Sequence, residues 1–124
     1  MLRVILIIFL VISFYSCSKK NEAIYEPQKQ KNAFSLYKEG MNAFEKNDFF
    51  FASKKFSEAE LNFENIDLAA KSAIMSAYSL YGINFYDEAL ENLDRYLKIY
   101  PSDKNVIYAH FLTAVIYFEQ VSDE

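Results

Sequence analysis

The chain has 124 residues, and its formal net charge of −4 at pH 7 argues against a nucleic-acid-binding protein, which needs a basic surface. Two glycines and two prolines are too few turn formers for an all-β domain, and 12 phenylalanines with 10 tyrosines exclude a disordered chain. A single cysteine and a single histidine leave too few side chains for a thiolate zinc site or most triad chemistry. The composition therefore predicts a helical domain that is not an enzyme and has no metal or other cofactor.

The N-terminal residues 1–16 are predicted to be a targeting segment rather than part of the fold. Arg3 gives a positive start, and residues 4–12 form an apolar run shorter than the roughly 20 residues that span a bilayer. The run ends at Ser16, directly before Cys17, the only cysteine. This arrangement resembles a bacterial lipoprotein signal, in which the cysteine is acylated and becomes the new N-terminus. We therefore expect a covalent lipid on Cys17; an ordinary signal peptide and an uncleaved anchor are the alternatives.

The segment after the signal is predicted to connect a lipid to a folded domain. It is polar, it contains Pro27, and it has no sustained apolar period. We predict that residues 17–32 comprise the lipidated cysteine and a flexible tether, and that the folded domain occupies residues 33–124.

A period of 37 residues runs through this domain. Small residues, rings four positions after them, and asparagines all recur in one register: Gly40, Ala77 and Ala114; Phe44, Tyr81 and Phe118; Asn47 and Asn84. Apolar positions between them are spaced by three and four, as in amphipathic helices. The pattern predicts two helices per unit, at residues 33–46, 50–63, 70–82, 87–100 and 106–119. Asn47 and Asn84 are predicted to form the turns within the units.

These units resemble the tetratricopeptide repeat, in which small residues lie where two helices cross and a proline follows the second helix. Residues 85–90 (Phe-Tyr-Asp-Glu-Ala-Leu) are typical of that family's inter-helix turn, and Pro101 ends the second unit. The predicted fold is an all-α, tetratricopeptide-like solenoid of helix hairpins with about two and a half repeats.

A closer resemblance connects the chain with the BamD family, lipoprotein components of the outer-membrane β-barrel assembly machinery. It rests on Cys17, on residues 36–40 that open the first repeat, on the block 94–101, and on the Tyr-rich helix that follows. Family members carry more repeats than this chain, so we expect the sequence to be the N-terminal half of a longer protein.

The resemblance implies a lipid-anchored scaffold at the periplasmic face of the outer membrane of a Gram-negative bacterium. The implied partners are the barrel-forming assembly subunit, accessory lipoproteins and unfolded outer-membrane proteins, whose C-terminal segments the scaffold would receive. Two other functions remain open: an adaptor for cell-wall enzymes or pilus assembly, and a regulatory subunit of a periplasmic enzyme.

The first helices of tetratricopeptide repeats line a concave face that binds extended peptides. The repeat register predicts the groove residues Tyr37, Met41, Phe44, Met75, Tyr78 and Tyr81, and adds Ile74, Phe111, Val115 and Phe118. Met41, Tyr78 and Val115 stand where many peptide-clamping arrays have asparagine, so we expect no carboxylate clamp at those positions. A face rich in aromatic residues and methionine suits apolar or aromatic peptide side chains. The alternative is that this stripe is packing.

Overall fold

The structure, a computed structural model, describes residues 27–122. The predicted signal segment, Cys17 and most of the predicted tether lie outside these residues. The described part consists of five α-helices without strands, which confirms the all-α prediction: α1 Pro27–Glu45, α2 Phe49–Asn62, α3 Ile66–Tyr81, α4 Tyr86–Ile99 and α5 Val106–Ser122.

The helices pack in chain order, as expected for a solenoid of helix hairpins. Each helix contacts the next, and α3 also contacts α5. The helices α1 and α2 form the first hairpin, α3 and α4 form the second, and α5 begins a third. This is the tetratricopeptide-like arrangement predicted from the 37-residue period.

The turns of the two hairpins have the same backbone, built on equivalent asparagines. Asn47 and Asn84 both have a φ of 60°, in the left-handed region that asparagine tolerates better than most residues. In each turn the next residue donates its N–H to a carbonyl five positions back: Asp48 to Ala43 at 2.9 Å, and Phe85 to Leu80 at 3.0 Å. These bonds close the two turns in the same way. The predicted turn positions are confirmed.

Close helix approach depends on the small residues of the period. A Cβ atom at Gly40 would lie 2.8 Å from Cδ1 of Phe56, a ring that is fully buried in the first hairpin. Ala77, its equivalent in the second hairpin, is also fully buried. Ala114, the third member of the series, is exposed on α5.

Two predicted helix starts are wrong, and both helices begin earlier. The helix α1 begins at Pro27 rather than at residue 33, so residues 27–32 are helical and not tether. Proline fits the first turn because it needs no N–H partner there and its φ is already helical. The helix α3 begins at Ile66 rather than at residue 70, because Asn65 caps it and accepts from the N–H groups of Asp67 and Leu68 at 3.0 Å.

Candidate functional site: a groove along the first helices

An open groove with a volume of about 590 Å³ lies on the face formed by α1, α3 and the start of α5. Its lining comes from all three repeats: Phe44, Lys71, Ile74, Met75, Tyr78, Lys104, Asn105 and Tyr108. Phe44, Ile74, Met75 and Tyr78 were predicted for the concave face from the repeat register, and the structure brings them together.

Aromatic rings form the apolar part of the groove. The ring centroid of Tyr78 lies 5.8 Å from that of Phe44 and 6.4 Å from that of Tyr108, so one tyrosine connects the three repeats. Partial burial, and to a smaller extent the neighbouring Tyr78, raises the pKa of the Tyr108 phenol. This phenol therefore stays neutral at physiological pH, and the rings present apolar faces with polar tips.

Two lysines and an asparagine add a polar side to the groove, which was not predicted from the sequence. Lys71 and Lys104 both line the groove, Asn105 lies beside Lys104, and none of the lining residues is acidic. The ammonium of Lys71 also lies 5.4 Å from the ring centroid of Tyr37. Met41, Tyr78 and Val115 offer no carboxylate clamp, as expected from the sequence. The groove nevertheless has cationic groups at other positions.

Lys71 could have been found from the sequence, because it precedes Ile74, Met75 and Tyr78 by three, four and seven positions on the same helical face. Lys104 and Asn105 could not, because they lie in the connection between α4 and α5. Asp103 determines the conformation of this connection. Its carboxylate accepts hydrogen bonds from the Tyr96 hydroxyl and from the backbone and side-chain nitrogens of Asn105, at 2.9 and 3.0 Å.

The pKa values of Asp103 and Tyr96 agree with these hydrogen bonds. Burial opposes ionisation of Asp103, yet the hydrogen bonds from Tyr96 and Asn105 outweigh it and lower the pKa of the carboxyl. Burial and the bond to Asp103 raise the pKa of Tyr96. The fold thus favours a neutral Tyr96 phenol and an ionised Asp103 carboxylate. The hydrogen bond between them holds the connection against α4, with Lys104 beside the groove.

Three of the six predicted groove residues lie elsewhere. Tyr37 and Met41 are half-buried and pack on the core of the first hairpin, where the Tyr37 ring centroid is 5.3 Å from that of Phe56. Tyr81 donates its hydroxyl to Oε1 of Glu119 at 2.8 Å. For Tyr37 and Met41 the structure agrees with the alternative interpretation, in which these side chains pack against the core.

Glu119 fixes α5 against the second hairpin. Its second oxygen accepts from the hydroxyl of Tyr86 at 2.9 Å, so tyrosines of α3 and α4 hold one carboxylate of α5. The bond to Glu119, followed by burial, raises the pKa of Tyr81 to about 12. Because α5 carries Tyr108, these bonds also hold one side of the groove.

On the opposite layer, an ion pair between a buried carboxylate and a half-exposed guanidinium joins the two hairpins, and the sequence did not predict it. Glu60 of α2 accepts from both terminal nitrogens of Arg95 on α4, at 2.7 and 2.6 Å, and from the hydroxyl of Tyr100 at 2.8 Å. The Glu60 side chain is 5% exposed. Bidentate Arg–carboxylate pairs fix geometry as well as charge, so this contact sets how the hairpins stack.

Other kinds of site find little support in the part of the chain that the structure describes. Residues 27–122 contain no group of three histidine, cysteine or acidic side chains that could hold a metal ion. Within the same range, no helix is both long and apolar enough to cross a membrane.

The fold and the groove together define a helical-repeat protein with an open groove along the first helices of its repeats. The sequence profile of the YfiO family, described as an outer membrane lipoprotein, matches residues 29–124. The chain therefore belongs to the YfiO family of outer membrane lipoproteins.

Curated relatives carry the name outer membrane protein assembly factor BamD. The chain is 30% identical to that of Caulobacter vibrioides over 106 residues, which cover 86% of this chain and 34% of the relative. It is 26% identical to that of Rickettsia prowazekii over 123 residues, covering 99% and 47%, and 23% identical to that of Neisseria gonorrhoeae over 122 residues, covering 97% and 46%. The chain thus spans a third to a half of the length of these relatives. No solved structure matches it significantly.

Proposed function

We propose that the chain is part of a lipid-anchored scaffold in the assembly of outer-membrane β-barrel proteins. Membership of an outer membrane lipoprotein family and similarity to proteins named BamD support this role. The proposed partners are the barrel-forming subunit, accessory lipoproteins and unfolded barrel proteins, at the periplasmic face of the outer membrane. Such a scaffold needs binding surfaces and no reaction of its own. The names of the relatives favour barrel assembly over an adaptor for cell-wall enzymes or pilus assembly.

The groove is proposed to receive the C-terminal segments of unfolded barrel proteins. The observation that carries this proposal is the joint presence of Phe44, Met75 and Tyr78 with Lys71 and Lys104 in one open groove. Aromatic side chains of a peptide would pack on the rings and the methionine, which adapts its shape to its neighbours. A terminal carboxylate would interact with the two ammonium groups, since charge-assisted hydrogen bonds are stronger than neutral ones.

A peptide-binding assay tests this use of the groove. The full chain is titrated into a labelled peptide that ends in phenylalanine with a free carboxylate, and into the same peptide with an amidated end. Loss of one charged hydrogen bond is expected to weaken binding about tenfold, equivalent to about 1.4 kcal/mol. The variant Lys71→Gln or Lys104→Gln is expected to remove most of the preference for the free carboxylate, and Tyr78→Ala to weaken both peptides.

The matched control is Lys98→Gln, because Lys98 is an exposed lysine on α4 that is paired with Asp94 and does not line the groove. It is expected to bind both peptides as the unchanged chain does. Equal affinity for the two peptides, or equal effects of Lys98→Gln and Lys71→Gln, would contradict the proposed recognition of a carboxylate.

The proposed lipid anchor on Cys17 is tested separately by mass spectrometry of the intact protein purified from membranes. A mass increase of one diacylglycerol and one further acyl chain is expected, and Cys17→Ser is expected to abolish it. An unmodified cysteine, or an intact N-terminal segment, would contradict the anchor.

A further inference from the structure

Two exposed phenylalanine rings meet where the two hairpins turn. Phe50, at the start of α2, is 62% exposed, and Phe85, directly before α4, is 42% exposed. Their ring centroids lie 6.4 Å apart, so the contact joins the first hairpin to the second. We call these two rings the turn pair. Single exposed apolar residues need no explanation, but exposed rings that gather across two repeats point to a contact surface.

The ring of Phe85 stands where the first hairpin has a helix cap. The equivalent residue, 37 positions earlier, is Asp48, which caps α2 by accepting from the N–H of Phe51 at 3.3 Å. Both positions have nearly the same backbone, with φ −83° at each and ψ 69° at Asp48 and 67° at Phe85. A capping side chain would therefore fit at Phe85, yet α4 has no side-chain cap. A favourable local interaction given up for an exposed ring is typical of a binding surface.

The exposure of the turn pair does not come from the unpartnered face of α5. Both rings belong to the two hairpins that are complete. Phe50 lies on α2, which packs on α1 and α3, whereas α5 packs on α3 and α4. A further helix packed on α5 would therefore continue the solenoid away from Phe50.

Acidic side chains predominate around the turn pair. Residues 45–54 and 82–91 contain both hairpin turns and the starts of α2 and α4, and their exposed charged residues are five acids and two lysines: Glu45, Asp48, Asp87, Glu88 and Glu91; Lys46 and Lys54. Within the part of the chain that the structure describes, none of these seven takes part in an ion pair. Glu88 follows Phe85 by three positions, which brings the two side chains to the same side of α4. The charge around the rings therefore favours a cationic partner.

A neighbouring ring shows which group such a surface attracts. Phe51 is 43% exposed, and the ammonium of Lys55 lies 5.4 Å from its ring centroid. The same ammonium is paired with Glu39 at 3.3 Å and with Glu58 at 3.0 Å. A cation thus lies over an exposed ring and beside two carboxylates. The turn pair offers rings and carboxylates too, but neither of its rings has a cation of the described residues over it.

Arginine is the side chain that combines both interactions best. Its guanidinium stacks on aromatic rings and forms hydrogen bonds with carboxylates at the same time. A second copy of the chain would bring another acidic surface and be repelled, and anionic lipid headgroups would be repelled as well. A protein segment in which arginine stands next to apolar side chains fits both the rings and the charge.

We propose that the turn pair is a docking site for a protein segment that carries arginine next to apolar side chains. The guanidinium stacks on Phe50 and Phe85 and pairs with Glu88, and the apolar neighbours cover the rest of the rings. The site shares no residue with the groove, so the inference depends neither on the proposed peptide recognition nor on the lipid anchor. Because charge contributes, docking is expected to weaken at high salt.

Photo-crosslinking of the native full-length protein tests the proposal. The photoreactive residue p-benzoylphenylalanine is placed at position 50, where it keeps an exposed aromatic ring. Intact membranes are illuminated, and mass spectrometry identifies the segment to which position 50 is joined. The matched control carries the same residue at position 99, because Ile99 is 50% exposed at the other end of α4. Circular dichroism checks that each protein is folded.

We expect position 50 to form an adduct with a protein segment that contains arginine beside apolar residues, and position 99 not to form it. Glu88→Gln is expected to lower the yield of this adduct several-fold, and so is high salt. Phe85→Leu is expected to lower it as well, because leucine keeps an apolar contact but cannot stack with a guanidinium. Glu64→Gln removes an exposed acid in the connection between the hairpins and is expected to leave the yield unchanged.

Several results would overturn the proposal. They are an adduct with lipid, with a second copy of the chain or with a segment that lacks arginine, and the absence of any adduct at position 50. Equal yields in Glu88→Gln and Glu64→Gln would also overturn it, because the carboxylate beside the rings would then make no contribution.

Discussion

The two complete hairpins share the backbone of their turns but differ in the side chains between their helices. Asn47 and Asn84 have the same φ and are followed by equivalent hydrogen bonds to the preceding helix. The first hairpin combines Gly40 with the buried ring of Phe56, whereas the equivalent positions of the second carry Ala77 and Leu93. A larger side chain on one helix therefore accompanies a smaller one on the other. The repeat thus preserves the turn and the filled volume rather than particular core residues.

The outer layers of the hairpins differ in polarity. The first hairpin has Glu60 on α2, which receives Arg95 and Tyr100 from the second hairpin. Counting 37 residues on, the second hairpin has Leu97, which is half-buried among apolar neighbours. The stacking of the second hairpin on the first therefore uses an ion pair with a buried carboxylate, and the equivalent position on the second hairpin has no charged side chain.

Removing the ion pair is expected to give the largest loss of stability. In Arg95→Ala, the carboxylate of Glu60 keeps only one donor, Tyr100, and the free energy of unfolding is expected to fall by about 3 kcal/mol. The control Lys98→Ala breaks an exposed pair on the same helix and is expected to cost less than about 0.5 kcal/mol. Urea unfolding measures both. Equal losses in the two variants would contradict a structural role for Glu60.

Exchanging the small residue of the first hairpin is expected to have the next largest effect. Gly40→Ala places a methyl group against the ring of Phe56, and overpacking of this kind costs about 2 kcal/mol, more than the helix propensity gained from alanine. The double variant Gly40→Ala with Phe56→Leu recreates the pair of the second hairpin. It is expected to be more stable than the sum of the single effects predicts. If the two changes in the free energy of unfolding simply add, the side chains at positions 40 and 56 do not compensate for each other in volume.

The left-handed turns are expected to respond equally in the two hairpins. Asn47→Ala and Asn84→Ala should each lower the free energy of unfolding by about 1 kcal/mol, because alanine tolerates a positive φ less well than asparagine. Asn47→Gly and Asn84→Gly are the controls and are expected to be neutral or stabilising. A loss in the glycine variants as large as in the alanine variants would show that the asparagine side chains, not the backbone conformation, matter.

The smallest effect is a difference in behaviour at high pH. Phe44 of the first hairpin cannot ionise, whereas its equivalent Tyr81 has a pKa of about 12 in the fold, above the ordinary 10.0. The folded state thus keeps a proton that the unfolded state loses, so stability should be unchanged below about pH 10 and fall between about pH 10 and 12. Tyr81→Phe is expected to lose less stability than the unchanged chain over this interval in urea titrations. Parallel curves would contradict the role of the bond to Glu119.

The sequence was sufficient to predict the parts of the fold that recur. The turns at Asn47 and Asn84, the small residues at 40 and 77, and the order of five helices follow from one period and from local preferences. The start of α1 could not be predicted, because residues 27–32 are polar and show no core-facing stripe. It is the proline at the first helical position that is compatible with an earlier start.

The site was less predictable, because it depends on contacts between residues that are distant in the chain. In the sequence, Glu60 cannot be distinguished from an ordinary surface acid, because its partners Arg95 and Tyr100 belong to the next hairpin. Tyr37 was assigned to the groove because it shares a helical stripe with Phe44, but a stripe does not show which of its members the neighbouring helix covers. Lys104 enters the groove only because Asp103 fixes the connection before α5.

The proposed role as a scaffold for barrel assembly is best tested by copurification. The native full-length protein is tagged, membranes are solubilised in a mild detergent, and the recovered proteins are identified and quantified. We expect recovery of the barrel-forming assembly subunit in near-equal amount. Recovery of cell-wall enzymes or pilus components without that subunit would contradict the scaffold role, and would leave a helical-repeat adaptor of another system.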